Sequence, residues 1–138
     1  MNVPDPERLH LAAQDGDLDA VSRLVAEGED INAFDDLGKT LLHYAADREH
    51  VEVARYLIEH GANVNAHHEP TLGNTPLGDV AATCSYVMAK LLVDAGSDPT
   101  IPGWMQLTAL DRARKRKRDD GPRVYELLAR AASHPGTT

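Results

Sequence analysis

Aromatic side chains are scarce: one phenylalanine, one tryptophan and four tyrosines make up 4% of the 138 residues. A core of large rings is therefore excluded, and the interior has to be assembled from Leu, Val and Ala. A single cysteine, Cys84, excludes an intramolecular disulfide framework and points to a reducing compartment. No apolar run approaches the roughly 18 residues of a membrane-spanning helix. Met1–His10 holds two prolines and two acids and no apolar stretch of the kind a secretory leader needs. No Gly-rich phosphate loop, nucleophile elbow or zinc-ligand spacing occurs. The expectation is a soluble, cytoplasmic, non-enzymatic chain that needs no cofactor and no metal.

What the chain has instead is self-similarity. Leu9, Leu42, Leu77 and Leu110 recur at intervals of 33, 35 and 33 residues. Ala12-Ala13, Ala45-Ala46, Val80-Ala81 and a degraded Ala113-Arg114 follow them, and Gly28, Gly61 and Gly96 close the first three copies. Thr40, Thr75 and Thr108 open the last three. A fixed period of this length predicts stacked supersecondary units, none of which buries its apolar face alone. In the second copy, Asp35-Asp36-Leu37-Gly38 is turn chemistry and Thr40 is placed to cap a helix. Leu42, Ala45 and Ala46 then fall at helical spacing. After a break near Glu49-His50, a second helix carries Val53, Ala54, Leu57 and Ile58, and His60-Gly61 ends it.

These residues, Thr40-Leu41-Leu42-His43-Tyr44-Ala45-Ala46 and then Val53-Ala54-Arg55-Tyr56-Leu57-Ile58-Glu59-His60-Gly61, resemble the ankyrin repeat. The resemblance covers about residues 4–132. It implies an all-α solenoid of four units at about 4–34, 35–68, 69–101 and 102–132, the first and last acting as caps, with 133–138 as a tail. It also implies that His10 and His43 order turns through backbone hydrogen bonds. Three departures stand out. Gly78 occupies the place of that histidine in the third unit, Cys84 takes an inter-helix turn position that is often glycine, and two extra residues lengthen the finger around 66–73.

Charge is unevenly spread within a net −8. Residues 1–110 hold 6 Lys/Arg against 18 Asp/Glu, whereas 111–138 hold 8 against 4. An acidic body repels phosphate backbones and favours a basic protein partner by steering. The run Arg112–Arg118 is readable as a nucleic-acid patch or nuclear-import signal. Its plainer reading is the solvated end of a helix whose dipole favours cations, with Asp119-Asp120 ready to pair with them. His67-His68-Glu69 lacks a matching ligand pair and reads as part of the long finger, available for contact.

The resemblance places partner contacts on the turn fingers and the exposed faces of the first helices. In the second unit these are Phe34, Asp36, Leu37, Lys39, Asp47 and Arg48. Thr71, Leu72 and Asn74 belong to the third, and Trp104 and Met105 to the apolar stretch Ile101–Leu107 of the fourth, while His67 and His68 lie on the lengthened finger, available to touch a partner. The expected function is binding of one protein partner through a concave surface, as a small inhibitor or neutraliser of the immunity-protein kind. The unbound chain is expected to be a monomer with no membrane contact. The alternatives are a nucleic-acid-associated factor acting through Arg112–Arg118 and an adaptor or scaffold subunit.

Overall fold

The computed structural model describes residues 6–68, 73–116 and 121–133. Eight α-helices lie there in sequence: α1 (Pro6–Asp15), α2 (Leu18–Ala26), α3 (Leu41–Asp47), α4 (Val51–Glu59), α5 (Pro76–Val80), α6 (Tyr86–Asp94), α7 (Ala109–Arg114) and α8 (Gly121–Ser133). A single 3-10 turn, Trp104–Gln106, precedes α7, and no strand occurs among the described residues. The odd-numbered helices pack α1 on α3, α3 on α5 and α5 on α7; the even-numbered ones pack α2 on α4, α4 on α6 and α6 on α8. Two rows of helices, inner and outer, thus run the length of an all-α solenoid.

Local chemistry starts and stops these helices. Asp17, Thr75, Ser85 and Thr108 each cap a helix by accepting an amide of its first turn, which satisfies donors that have no intrahelical partner. Pro76 opens α5, where a missing N–H costs nothing. α4 ends at His60 and Gly61, whose φ of 98° is a conformation that only glycine adopts cheaply. α8 continues through Ser133, so Ser133 belongs to the last helix and not to a tail; the remainder of that expected tail, 134–138, lies outside the described residues, as do Asp119 and Asp120.

The core is a continuous seam of small and branched aliphatics. Leu9, Ala13, Val21, Leu41, Leu42, Ala45, Ala46, Val53, Ala54, Leu57, Leu77, Val80, Met88, Ala89, Leu92, Ala109, Val124 and Leu128 are all buried. The alanine pairs let neighbouring helices approach closely, which explains how 4% aromatic content suffices. Truncating one of the fully buried leucines, Leu42 for instance, costs about 2–5 kcal/mol. Leu110, in register with Leu9, Leu42 and Leu77, is only half-buried.

Polar ladders join the layers. Asn32 donates from Nδ2 to the Gly61 carbonyl (3.2 Å) and accepts from the Asn63 amide at Oδ1 (2.7 Å). Asn65 does the same in the next unit, with Gly96 (3.1 Å) and Asp98 (2.7 Å). His50 Nε2 reaches the Gln14 carbonyl at 2.8 Å, and the Glu49 carboxylate accepts from the amide and hydroxyl of Ser85, both at 2.8 Å. Each such bond is worth about 1 kcal/mol net, so the repeats are held in register by spaced polar rungs as well as by the apolar seam.

Candidate functional site

The fingers that precede the inner helices carry four of the six large apolar side chains exposed among the described residues, the others being Leu11 on α1 and Val87 on α6. Leu37 is 58% exposed, Trp104 53% and Met105 68%, with Phe34 at 38% and Leu11, on α1, at 57%. Leu11 had no turn signal to mark it. Its place emerges only from the register Leu11, Tyr44, Asp79, Arg112, spaced 33, 35 and 33, which follows one face of the inner helices. The Phe34 ring lies 5.0 Å from the His68 ring at a 52° tilt, so the second and third fingers touch through it. His67 is half-buried and its Nδ1 meets the Asn65 carbonyl at 2.9 Å. Asp36 is exposed, and exposed Asp47 and Arg48 pair with each other at 3.7 Å. Thr71 and Leu72 lie outside the described residues.

The second finger is built by its own residues. Asp35 N–H donates to the Lys39 carbonyl (2.9 Å) and Gly38 N–H to the Asp35 carbonyl (3.0 Å). The Asp35 carboxylate accepts from the amides of Leu37 and Lys39, both at 2.9 Å, and from the Tyr44 hydroxyl. Burial opposes charge on Asp35, but the bonds from Tyr44, Lys39 and Leu37 outweigh it and hold the carboxyl below its usual 3.8. Burial, and then the Asp35 carboxylate, push the Tyr44 phenol above the usual range.

His43 carries the finger onward. Its Nδ1 lies 3.0 Å from the Thr40 amide; an amide only donates, so Nδ1 is the acceptor and Nε2 bears the proton. Nε2 then donates to the Asn74 carbonyl at 2.7 Å. Burial pulls the imidazole below its ordinary 6.5, although the bond to Asn74 favours the charged form. His10 has the equivalent role in the preceding unit, with Nε2 at 3.2 Å from both the Ala33 and Lys39 carbonyls.

The third unit has Gly78 at that position, and the link to the fourth finger comes from elsewhere. Asn74 Oδ1 accepts from the Trp104 amide at 2.9 Å while its Nδ2 donates to Asp79 Oδ1 at 3.0 Å. Asp79 also pairs with Lys39 at 3.7 Å. Lys39 and Asn74, both half-buried, therefore tie finger to finger. Arg112 Nη2 donates to the Trp104 carbonyl at 3.3 Å, so the Trp104 peptide is held from both sides.

The basic run is not a free solvated helix end. α7 stops at Arg114. Arg116 is half-buried and donates to the carbonyls of Ala81 (2.8 Å) and Cys84 (2.7 Å), stapling the α5–α6 connection. Arg114 bonds the Tyr125 hydroxyl at 3.0 Å. Lys117 and Arg118 lie outside the described residues. Spacing alone could not show this, because the acceptors of Arg116 sit more than 30 positions away in sequence.

Two open hollows, of about 150 Å³ beside Tyr86, Arg123 and Leu127 and about 210 Å³ beside Ala113, Arg116 and Tyr125, take in no finger residue. Among the described residues no group of three His, Cys, Asp or Glu is placed to hold a metal ion. No described helix is long and apolar enough to cross a membrane. Cys84 is buried.

Stacked helix pairs linked by finger ladders, with apolar tips facing outward, define a helical repeat protein. A family model described as ankyrin repeats in three copies matches residues 9–102; the chain belongs to the ankyrin-repeat family. It is 33% identical over 117 residues to BCL-6 corepressor-like protein 1 of Homo sapiens, covering 83% of this chain and 6% of that protein. It is 48% identical over 59 residues to palmitoyltransferase akr1 of Schizosaccharomyces pombe, covering 42% and 9%. Over 52 residues it is 48% identical to myotrophin of Xenopus tropicalis, covering 38% and 44%. The chain thus spans less than half the length of each of these relatives. Ankyrin repeats make it a protein–protein interaction module.

Proposed function

We propose that the chain binds one protein partner through its fingers and inner helices, with Trp104 and Met105 as anchors, and acts by occluding that partner as a small inhibitor. The observation that carries this reading is the exposed apolar tip at Trp104-Met105, held from two sides by Asn74 and Arg112. Pre-formed, pinned contacts lose little entropy on docking, and a few buried aromatics dominate such interfaces. Phe34, Asp36, Leu37, Asp47, Arg48 and Leu11 extend the surface, and His67, His68, Thr71 and Leu72 contribute along the long finger. Lys39 and Asn74 act by positioning. The single cysteine supports a cytoplasmic setting.

A nucleic-acid role through Arg112–Arg118 is disfavoured because Arg114 and Arg116 already serve internal acceptors, which leaves too few cations to follow a phosphate backbone. An adaptor role draws support from the small share of the long relatives that this segment matches. The test is to cross-link the chain to its partner in its own cells, identify that partner, and compare affinities of the parent and Trp104→Ala. Binding should weaken about tenfold or more. Unchanged affinity would move the interface off this finger. Loss of the partner's activity on binding separates inhibitor from adaptor.

A further inference from the structure

The chain is acidic as a whole, yet the helix that follows its most exposed apolar finger ends in cations. Arg112 and Lys115 stand three residues apart at the end of α7 and its cap, and neither makes an ion pair among the described residues. Arg112 places one guanidinium nitrogen on the Trp104 carbonyl, while its Nε is enclosed without a hydrogen-bond partner. The nearest acids in register are already engaged. Asp111 accepts from the Thr108 amide at 3.0 Å, and Asp79 is held by Lys39 and Asn74. The equivalents of Lys115 and Arg112 in the second unit are Asp47 and Tyr44, 68 positions earlier. Along this register Tyr44 and Asp47, the latter paired with Arg48, give way to Arg112 and Lys115, and Arg112 lies against the Trp104 backbone.

Cations outside any ion pair, one of them against the backbone of an exposed indole, favour a ligand with the opposite charge and an apolar side chain. The geometry points to a partner segment that lays an apolar side chain on Trp104 and Met105 and sets an Asp or Glu carboxylate against Arg112 and Lys115. This rests on the finger surface being the binding site and specifies what meets its fourth unit. The partner's binding segment is acidic and apolar there, whatever the net charge of the partner as a whole. Trp104 is the only tryptophan, so its emission reports occupancy of this site directly.

The experiment titrates the whole chain with two pools of short synthetic peptides, alike in a central Leu or Phe but flanked by Glu and Asp in one and by Lys and Arg in the other. The acidic pool should shift Trp104 emission to shorter wavelength, saturably, and lose affinity as salt is raised. Arg112→Gln and Lys115→Gln should each weaken it by about threefold. The Lys115 side chain makes no hydrogen bond to the finger, so Lys115→Gln keeps the test valid if Arg112→Gln disturbs it, which thermal unfolding would reveal. Stronger binding of the basic pool, or equal binding of both, overturns the acidic assignment and leaves the finger as the binding site. No shift of Trp104 with either pool overturns both.

Discussion

The second and fourth fingers follow one path by different means. Asp35 and Lys39 exchange the hydrogen bond that Gly103 and Leu107 exchange, each at 2.9 Å, and Gly38 and Gln106 close the turn onto Asp35 and Gly103 at 3.0 and 2.9 Å. In the second finger the cap of the turn is local, although His10 of the preceding unit also reaches the Lys39 carbonyl. Asp35 caps its own turn, and Gly38 takes a φ of 75° at no steric cost. In the fourth finger the glycine stands first and not fourth. Gln106 takes the positive φ in place of glycine, at 60°, and Met105 adds a second at 59°, each costing about 1 kcal/mol. The cap comes from Asn74 on the neighbouring finger, which leaves no room for a side chain at position 103: a Cβ there would stand 2.0 Å from Asn74 Oδ1. The second finger commits Asp35 and Gly38 to its own turn. The one held by its neighbours places an indole and a thioether at the tip.

The largest effect expected from breaking this contrast is at Gly103. Gly103→Ala drives a methyl group into Asn74 and expels the bond to the Trp104 amide, so stability should fall by roughly 2–4 kcal/mol. Urea unfolding measures it, and Asn74→Ala in the same background should recover some of the loss by removing the clash. Unaltered stability in Gly103→Ala would mean that Asn74 does not hold the fourth finger.

Acid should separate the two fingers next. His43 must stay neutral for Nδ1 to accept from Thr40, and its folded value lies below 6.5. The unfolded chain therefore takes up the proton first. Stability from this group is complete above 6.5 and declines as pH falls from there to the folded value. Asp35, held below 3.8, keeps its contribution until pH falls through that lower value. The urea midpoint should drop as pH falls below 6.5, and His43→Gln should reduce the drop. A second loss at stronger acid should disappear in Asp35→Asn, whereas Asn74, which does not titrate, leaves the link to the fourth finger untouched.

The smallest effect, and the one that sharpens the comparison most, is a gain. Gln106→Gly restores to the fourth finger the residue the second has at this place, and should stabilise the chain by about 1 kcal/mol. A loss of stability would indicate that the Gln106 side chain is itself a support.

The 33–35 residue period, the threonine caps and the Leu and Ala seam were all legible in the sequence because they depend on near neighbours and on helical spacing. So was the fact that Trp104 and Met105 lie on a finger. Leu11 escaped notice because a leucine inside a helix looks like core until the packing shows which face it occupies. The run Arg112–Arg118 looked solvated because nothing nearby in sequence hints that Arg116 spans back to Ala81 and Cys84. The sequence by itself determined the stacked repeat, since each unit's apolar stripe demands a neighbour. Only the tertiary structure decided which finger caps its own turn and which borrows its cap, because the groups that hold Trp104 come from positions 30 residues before it and 8 after it, and folding alone brings them together.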